Sequence, residues 1–331
     1  NTPNAESLME TASSAGNYNL ASALADLIDN SITANAKKIS VDYDFDQEGY
    51  YVRIADNGSG MSKSELINAM KLAAKNPLDE RDANDLGRFG QGLKTASFSQ
   101  ARRLVVLTKK EGEITGAAYN QDDIVDFKML VFKKKEVENM LLKNELFETT
   151  TEVIWRDLAR LTEKGEIQPK DIHRMFAEAQ NHLELVFHRF IGAKGKNKVQ
   201  IYVNGNELKI IDPFFKKHLA TLEMPVERVR INNENVTITP FILPHFSKLS
   251  PNQENELSGE EGYLKNQGFY VYRNKRLIIF GTWFKIIKYG ELIKLARIQI
   301  DIGNSIDQEF RITLDKSNAQ IPSKLRDRLK T

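Results

Sequence analysis

The sequence contains no cysteine among its 331 residues. This absence excludes disulfide bonds, thiolate nucleophiles and cysteine-ligated zinc, and it agrees with a reducing compartment. No apolar run reaches the roughly 18 residues that a membrane-spanning helix needs, and no signal peptide is visible. We therefore predict a cytoplasmic chain without a membrane partner.

An excess of one charge is also missing, because 47 Lys and Arg oppose 45 Asp and Glu for a net charge of +2. The chain has no overall positive charge that would indicate nucleic-acid binding. A local basic patch is still compatible with this charge balance. Hydrophobic residues make up 41% and charged residues 28%, as in globular proteins. The length corresponds to roughly two domains. Because the chain starts at Asn1 and not at Met, we expect it to be a fragment of a longer protein.

Hydrophobic periodicity predicts a mixed α and β chain. Helices are expected at 19–36 and 169–191, and Ser62 with Glu65 forms a capping-box signature for a further helix. A hairpin is expected to turn at Glu111-Gly112, and "GFYVYRNKRLIIF" is expected to be a strand that carries Lys275. Since most predicted strands follow one another in hairpins, we expect α+β layering and not a parallel doubly wound sheet.

The first pair of candidate residues lies on the helix predicted at 19–36. Asp26 and Asn30 are four residues apart, so they lie one turn apart on one face. A carboxylate can orient or deprotonate water, and an amide oxygen can ligate Mg²⁺. A plain solvated helix face is the alternative interpretation.

The run "DNGSGM" follows a predicted strand and begins at Asp56. Two glycines, Gly58 and Gly60, allow the backbone to approach a flat ligand closely. Asp56 could accept a hydrogen bond from an exocyclic amine such as adenine N6. The alternative is an ordinary β-turn with Asp-Asn-Gly chemistry.

The stretch "DLGRFGQGLKTASFS" carries Gly87, Gly90 and Gly92 in a G-x-x-G-x-G spacing. It is not a P-loop, because Leu93 separates Gly92 from Lys94. Glycines leave backbone N–H groups free to face an anion, and the following helix adds its positive end. A glycine-rich turn before a helix is the alternative.

Two further sets of residues carry weaker signals. Thr151 enters a predicted strand, where threonine usually reflects β-propensity, although it could hold a water against the same amine as Asp56. The five histidines show no metal-binding spacing such as H-E-x-x-H.

The order of these motifs resembles the GHKL ATPases, the superfamily of DNA gyrase B, the ninety-kilodalton heat-shock chaperone, histidine kinases and MutL. The boxes "ALADLIDNSI" and "GRFGQGLKTASFS" are similar to those of the MORC ATPases and their bacterial MutL-related cousins. In the second half, "GFYVYRNKRLI" and "RITLDKSNA" resemble the transducer domains of MutL and MORC. The resemblance covers nearly the whole chain.

The resemblance implies a Bergerat-fold sandwich of helices over a mixed, mainly antiparallel sheet, followed by an α/β transducer domain of the MutL/gyrase type. It implies an ATP-binding domain over 1–165 with a lid at about 75–92, and a transducer over 166–331, with the boundary uncertain by about ten residues in either direction. It also implies residue roles: Asp26 and Lys316 in catalysis; Asn30 as the Mg²⁺ ligand; Asp56, Gly58, Gly60 and Met61 around adenine; Gly87, Gly90, Gly92, Leu93 and Lys94 at the phosphates; and Thr151 supporting Asp56 through water. Lys275 is the competing candidate for the lysine at the γ-phosphate.

Two positions depart from the family pattern. Asp26 stands where MutL, gyrase and MORC carry glutamate, and its carboxylate reaches roughly 1.5 Å less far. Thr150 stands where a glycine is expected before Thr151. Slow hydrolysis is therefore one expectation at this site.

The resemblance implies an Mg²⁺-dependent ATPase that closes its lid and dimerises on ATP. Its setting would be a DNA-linked or bacterial defence or restriction-type system, with DNA and further proteins as candidate partners. The alternative from another class is an ATP-gated binding clamp with little or no turnover. A histidine kinase is disfavoured because no histidine precedes His173 to accept a phosphate. A chaperone is disfavoured because nothing resembles its charged linker or client domains.

Overall fold

A computed structural model describes residues 18–71, 92–121, 129–140, 144, 146–158, 161, 167–231, 234–259, 262–303, 310 and 321–329. The described residues form two compact units. The first unit runs from residue 18 to 183 and includes 193–208, and the second comprises 184–192 and the residues from 209 onward. The assignment of an ATP-binding domain and a transducer to particular residues stays a prediction.

The first unit contains an eight-stranded sheet in the order β5-β4-β3-β6-β2-β1-β7-β8. Each neighbouring pair is antiparallel except β1 and β7, which are parallel. The elements are α1 (Leu20–Thr33), β1 (Lys38–Asp46), β2 (Gly49–Asp56), α2 (Lys63–Met70), α3 (Gly92–Gln100), β3 (Arg103–Lys110), β4 (Glu113–Asn120), β5 (Leu130–Val131), α4 (Lys134–Met140), β6 (Thr151–Arg156), α5 (Pro169–Val186), a 3₁₀ turn (Gly195–Asn197), β7 (Gln200–Val203) and β8 (Asn206–Glu207).

One face of this sheet carries α1 and α3, which also pack against each other. On that face the Trp155 indole of β6 donates a 2.8 Å hydrogen bond to Ser97 Oγ of α3. The opposite face has a smaller apolar cluster of Leu107, Val137 and Ile154, to which α4 contributes Val137. The predicted α+β layering is confirmed, because the helices lie over a mixed, mainly antiparallel sheet.

Local sequence signals account for several element ends. Asn19 caps α1, and Ser62 and Glu65 form the predicted capping box at the start of α2. The predicted hairpin is confirmed, because β3 and β4 join at Glu111 and Gly112, both with positive φ. Such turns need left-handed backbone, which glycine adopts without steric cost.

Strand β7 shows a pairing that the local pattern did not predict. The sequence-based domain boundary at 165 places residues 200–203 in the second half of the chain. In the structure they pair in parallel with β1, with Ile39 opposite Ile201 and Val41 opposite Val203. These four side chains are buried, so β7 extends the apolar face of the first sheet.

The second unit has a six-stranded sheet in the order β10-β11-β14-β12-β13, with β9 also paired to β11. Its apolar core includes Phe269, Val271, Ile300 and Phe310. The elements are α6 (His188–Ile191), β9 (Leu222–Glu223), β10 (Glu227–Ile231), β11 (Glu234–Ile242), a 3₁₀ turn (Phe246–Lys248), α7 (Pro251–Ser258), α8 (Gly262–Lys265), β12 (Gly268–Arg273), β13 (Arg276–Thr282), a 3₁₀ turn (Glu291–Ile293), β14 (Ala296–Ile302) and α9 (Ser323–Arg328).

The run "GFYVYRNKRLIIF" was predicted as strand and forms two strands, β12 and β13, joined by a tight turn. Asn274 and Lys275 have φ values of 47° and 73°. Lys275 therefore lies exposed in a turn and not on a strand, which corrects the sequence-based placement. Among the described helices, none is long and apolar enough to cross a membrane.

Candidate functional site

Asp56 lies at the end of β2 and is only 6% exposed. Its Oδ2 accepts a 2.8 Å hydrogen bond from Ser31 Oγ on α1, and its Oδ1 accepts one of 2.8 Å from Gly58 N. Burial raises the pKa of the Asp56 carboxyl, and the bonds from Gly58 and Ser31 oppose that rise. The structure thus holds a buried carboxylate at the place where an adenine contact was predicted.

The loop after Asp56 needs both of its predicted glycines. A Cβ on Gly60 would lie 2.0 Å from the Lys109 carbonyl oxygen, and Gly60 has a φ of +65°. A Cβ on Gly58 would lie 2.8 Å from the Ala34 carbonyl oxygen. Close backbone approach therefore explains both glycines, whatever ligand the loop binds.

Three threonines hold this loop. Thr151 lies opposite Asp56 in the β2–β6 ladder, and its hydroxyl is 3.1 Å from that of Thr108. Thr108 Oγ1 accepts a 2.9 Å hydrogen bond from Met61 N. Thr150 Oγ1 donates to the carbonyl oxygens of Asp56 at 3.1 Å and Gly58 at 2.9 Å. The water-mediated role of Thr151 stays a prediction, while Thr150 and Thr108 fix both ends of the loop directly.

Asp26 lies on the buried side of α1 and is 6% exposed. The Tyr18 hydroxyl donates a 2.7 Å hydrogen bond to its Oδ2. Asn30, one turn later, is exposed. The solvated-face interpretation therefore does not describe Asp26, although it describes the position of Asn30.

Helix α3 begins beside Asp26. A Cβ on Gly92 would lie 3.5 Å from Asp26 Oδ2, so the carboxylate lies near the N-terminal end of α3. That end of a helix attracts negative charge, because its first N–H groups have no partner within the helix. The same N–H groups are the predicted phosphate donors near Gly92 and Leu93.

The side chain of Lys94 points to helix α2, while its backbone lies in the first turn of α3. Lys94 is buried, and its Nζ donates to the carbonyl oxygens of Ala69, at 3.1 Å, and of Lys71. These carbonyls lie at the C-terminal end of α2, where a cation is favoured. In this structure the ammonium therefore ties α2 to α3, and the backbone N–H of Lys94 is the part that fits the predicted phosphate contact.

Comparison with known proteins shows which family part of the chain matches. Residues 18–149 match the family described as histidine kinase-, DNA gyrase B-, and HSP90-like ATPase. Residues 18–149 are a GHKL ATPase domain. The first unit accordingly has the Bergerat fold of that superfamily.

Individual relatives support the same superfamily. The chain is 34% identical over 95 residues to ATPase morc-1 of Caenorhabditis elegans, covering 28% of this chain and 11% of that protein. It is 29% identical over 297 residues to the chaperone protein HtpG of Wolinella succinogenes, covering 84% of this chain and 46% of the chaperone. The chain thus spans less than half the length of either relative.

Some GHKL positions named from the sequence lie outside the described residues. These are Gly87, Gly90 and Lys316, together with lid residues 75–91. Their assignments stay predictions, as does the choice between Lys316 and Lys275 at the γ-phosphate.

Three further residues are adjacent to candidate residues or contact them, and sequence reasoning missed them. Asp29 is 1% exposed and precedes Asn30 on α1. The sequence did contain a signal for Asp29, because a carboxylate three residues after Asp26 lies on a neighbouring part of the same helix surface. Thr108 and Tyr18 had no comparable local signal, since Thr108 contacts Met61 from strand β3 and Tyr18 reaches Asp26 over eight residues, beyond the one-turn spacing of a shared helix face.

The protein oxygen atoms at the candidate site fit Mg²⁺ only in combination with phosphate oxygen atoms. Within the described ranges, no group of three or more His, Cys, Asp or Glu side chains could hold a metal ion. Asn30 offers an exposed amide oxygen one turn from Asp26. Mg²⁺ is commonly bound by one or two protein oxygens together with substrate phosphates and water. The chemistry of Asn30 therefore fits a single ligand to a phosphate-bound ion.

Proposed function

We propose that the first unit binds ATP and hydrolyses it to ADP and phosphate. The observation that carries the proposal is that α1 connects two buried carboxylates. Its Ser31 binds Asp56, and its own Asp26 lies beside the start of α3. Asp26 and Ser31 are separated by about 7.5 Å along the helix axis, from the 1.5 Å rise per residue. Helix α1 thus carries the phosphate-facing group, Asp26, and binds the base-recognition group, Asp56 of β2, through Ser31.

Asp56 is the proposed adenine contact. An ionised carboxylate has about four acceptor positions, and Ser31 and Gly58 use two of them. The remaining capacity suits the exocyclic amine of adenine, which donates, whereas guanine presents a carbonyl oxygen at that position. Because Gly58 and Gly60 carry no side chain, the loop packs closely against the carbonyl oxygens of Ala34 and Lys109, which fixes its position beside Asp56.

Asp26 is the proposed general base. A water attacks the γ-phosphorus, its proton passes to the Asp26 carboxylate, and the bond to the β-phosphate oxygen breaks as ADP leaves. The N–H groups at the start of α3, near Leu93 and Lys94, stabilise phosphate charge. Asn30 would hold Mg²⁺, which supplies charge neutralisation at the phosphates when bound.

The Asp26→Asn variant tests this assignment. Phosphate release is expected to fall by at least about a hundredfold, because general-base catalysis contributes on the order of 10²–10⁴ in rate. The dissociation constant for ATP should change little, since Asn keeps the shape of Asp. Asp44→Asn, at an exposed strand position, is the matched control and should turn over normally. Unchanged phosphate release in Asp26→Asn would reject Asp26 as the general base.

The second candidate function is an ATP-gated clamp with little turnover. It is favoured by the short side chain of Asp26, because a misplacement of about 1 Å can cost on the order of a hundredfold in rate. Measuring turnover against affinity separates the two functions. If the reach of the carboxylate limits hydrolysis, Asp26→Glu should turn over faster than the wild type. Tight ATP binding with no detectable phosphate release in either protein would favour the clamp.

ATP-dependent homodimerisation and a lid that closes over the nucleotide also belong to this proposal, as does a DNA-linked or defence-related setting. Light scattering with and without a non-hydrolysable ATP analogue and Mg²⁺ tests the dimer. Adding duplex DNA to the same samples tests for a nucleotide-dependent DNA complex. A monomer under all conditions would reject ATP-dependent dimerisation.

A further inference from the structure

Tyr18 connects the start of α1 to the proposed general base. It immediately precedes Asn19, the N-cap of α1, and its hydroxyl donates to Asp26 Oδ2 at 2.7 Å. The contact therefore spans eight residues, or about two helical turns. The Tyr18 side chain is half-buried, whereas Asp26 is almost fully buried.

The backbone around Tyr18 is fixed from two sides. Asn19 Oδ1 accepts a 2.8 Å hydrogen bond from Ser22 N, and Asn19 N donates one of 3.1 Å to Ser22 Oγ. On the other side, Gln100 Nε2 at the end of α3 donates to the Tyr18 carbonyl oxygen at 3.4 Å. The phenol is thus presented to Asp26 by a capped helix end and not by a free chain.

A hydrogen bond from a phenol to a carboxylate does two things at a buried site. It compensates for part of the cost of removing the charge from water, and O–H···O⁻ bonds are among the strong ones. It also restricts rotation of the carboxylate, because one oxygen is held at a fixed point. The orientation of the other oxygen follows from this restraint.

The restraint matters more for aspartate than for glutamate. The Asp26 carboxylate is roughly 1.5 Å shorter in reach than the glutamate of related families. It therefore has little freedom to find a productive position by moving its own side chain. Supporting hydrogen bonds that lock the rotamer of a reacting group are a common way to keep such a position.

We propose that Tyr18 is a positioning residue for Asp26 in ATP hydrolysis. The inference rests on the proposed function, since it assigns Tyr18 to the same reaction. Tyr18 itself does not contact the nucleotide in this proposal. It acts by orienting the carboxylate that accepts the proton of water.

The test is steady-state ATP hydrolysis by Tyr18→Phe, which removes one oxygen atom and keeps the ring. We expect kcat to fall on the order of tenfold or more, as is typical when a supporting hydrogen bond is lost. The KM and the dissociation constant for ATP should stay within about twofold, because binding does not use the phenol. Tyr50→Phe removes a phenol from a partly exposed strand position in the same unit and should leave both constants unchanged.

A double-mutant cycle separates positioning from general damage. In the Asp26→Asn background, Tyr18→Phe should cause no further loss, because the group it orients is already inactive. Tyr18→His keeps an N–H donor on a ring and should retain more turnover than Tyr18→Phe. Circular dichroism of each variant checks that the fold is retained, and Tyr18→Leu, which also lacks a donor, replaces Tyr18→Phe in the cycle if the latter does not fold.

The outcomes distinguish the two proposals. No turnover in the wild type would refute the proposed function. Full turnover in Asp26→Asn would refute the role of Asp26 as general base and this inference with it. An inactive Asp26→Asn together with an unimpaired Tyr18→Phe would refute the inference alone. Equal losses from Tyr18→Phe in both backgrounds would also refute it, since a structural defect does not depend on Asp26.

Discussion

Ser31 and Asp56 join helix α1 to the end of strand β2 by a 2.8 Å hydrogen bond from Oγ to Oδ2. Both residues are buried, so Ser31→Ala leaves a buried carboxylate with one donor fewer. We expect the free energy of unfolding at pH 7 to fall by about 1–3 kcal/mol, the usual range for a lost bond to a charged group. Urea unfolding measures it, with the exposed Ser64→Ala as the control expected within about 0.5 kcal/mol of the wild type.

The pH dependence of this difference has a definite sign. Burial raises the folded-state pKa of Asp56, so ionisation of this group opposes folding as the pH rises through that pKa. Removing the Ser31 donor raises the folded-state pKa further. The stability deficit of Ser31→Ala should therefore be largest at neutral pH and shrink on acidification. A deficit that grows as the pH falls would contradict this account.

Asp56→Asn is expected to reduce ATP affinity by about tenfold or more and to weaken the preference for ATP over GTP. The reason is that asparagine has only one acceptor oxygen, and its NH₂ group repels the exocyclic amine of adenine. Calorimetric titration with both nucleotides measures the change. Asp26→Asn serves as the control, since it should lose turnover and keep the base preference. Retained discrimination in Asp56→Asn would remove Asp56 from base recognition.

Gly60→Ala and Gly112→Ala separate a steric clash from backbone strain. Both glycines have positive φ, at +65° and +83°. A Cβ at Gly60 meets the Lys109 carbonyl oxygen at 2.0 Å, whereas nothing lies within 4 Å of one at Gly112. Gly112→Ala should cost about 1–2 kcal/mol for left-handed backbone alone. Gly60→Ala should lower the free energy of unfolding by clearly more than Gly112→Ala and should also impair ATP binding. Equal losses of stability of the two variants in thermal unfolding would contradict the steric clash.

Arg53 and Glu152 form a buried ion pair between β2 and β6, with Nη2 to Oε1 at 2.7 Å and Nε to Oε2 at 3.2 Å. Glu152→Ala should lower the free energy of unfolding by about 3–5 kcal/mol, because it removes the fully buried carboxylate that binds the guanidinium twice, although Asp42 Oδ2 stays 3.9 Å from Arg53 Nη1. The double variant Arg53→Met with Glu152→Leu should recover most of that loss in urea unfolding. The exposed pair Lys109–Glu148 is the control, where Glu148→Ala should cost at most about 1 kcal/mol.

His188 is expected to make the second unit sensitive to acid. Burial lowers its pKa to about 4 from 6.5, so its neutral form is favoured in the folded chain. The unfolded chain binds the proton first, and stability is lost as the pH falls from about 6.5 towards about 4. The shift corresponds to about 3 kcal/mol at 1.36 kcal/mol per pKa unit.

The corresponding experiment compares His188→Gln with the wild type in urea unfolding between pH 7 and pH 4. The acid loss of stability should become smaller in the variant by up to that amount. His173→Gln, at an exposed position, is the matched histidine control. An unchanged acid loss in His188→Gln would show that other groups dominate this range.

Elements with local signals could be predicted from the sequence. The Asn19 cap, the Ser62–Glu65 capping box and the Glu111-Gly112 turn each depend on residues within a few positions of one another. The two strands within "GFYVYRNKRLIIF" were harder to predict, because the turn between them is formed by Asn274 and Lys275 and contains no glycine. The parallel partnership of β7 with β1 joins segments about 160 residues apart, and no local pattern encodes it.

The candidate site divides in the same way. Asp26, Asn30, Asp56, Gly58 and Gly60 are recognisable from their spacing, because each motif lies on one helix or one strand end. Thr108 beneath Met61 and the Lys94 ammonium on the end of α2 could not be predicted, since each contact joins two elements.

The sequence by itself therefore determined the superfamily and the candidate residues of the site, since motif spacing on a single element sets which side chains share a face. Only the tertiary structure decided that Asp26 is buried, that Tyr18 holds it, and that Thr150 binds the Asp56 loop. The physical reason is that burial and hydrogen-bond partners depend on which elements pack together. Packing is a property of the whole fold, and the spacing of residues along one element does not contain it.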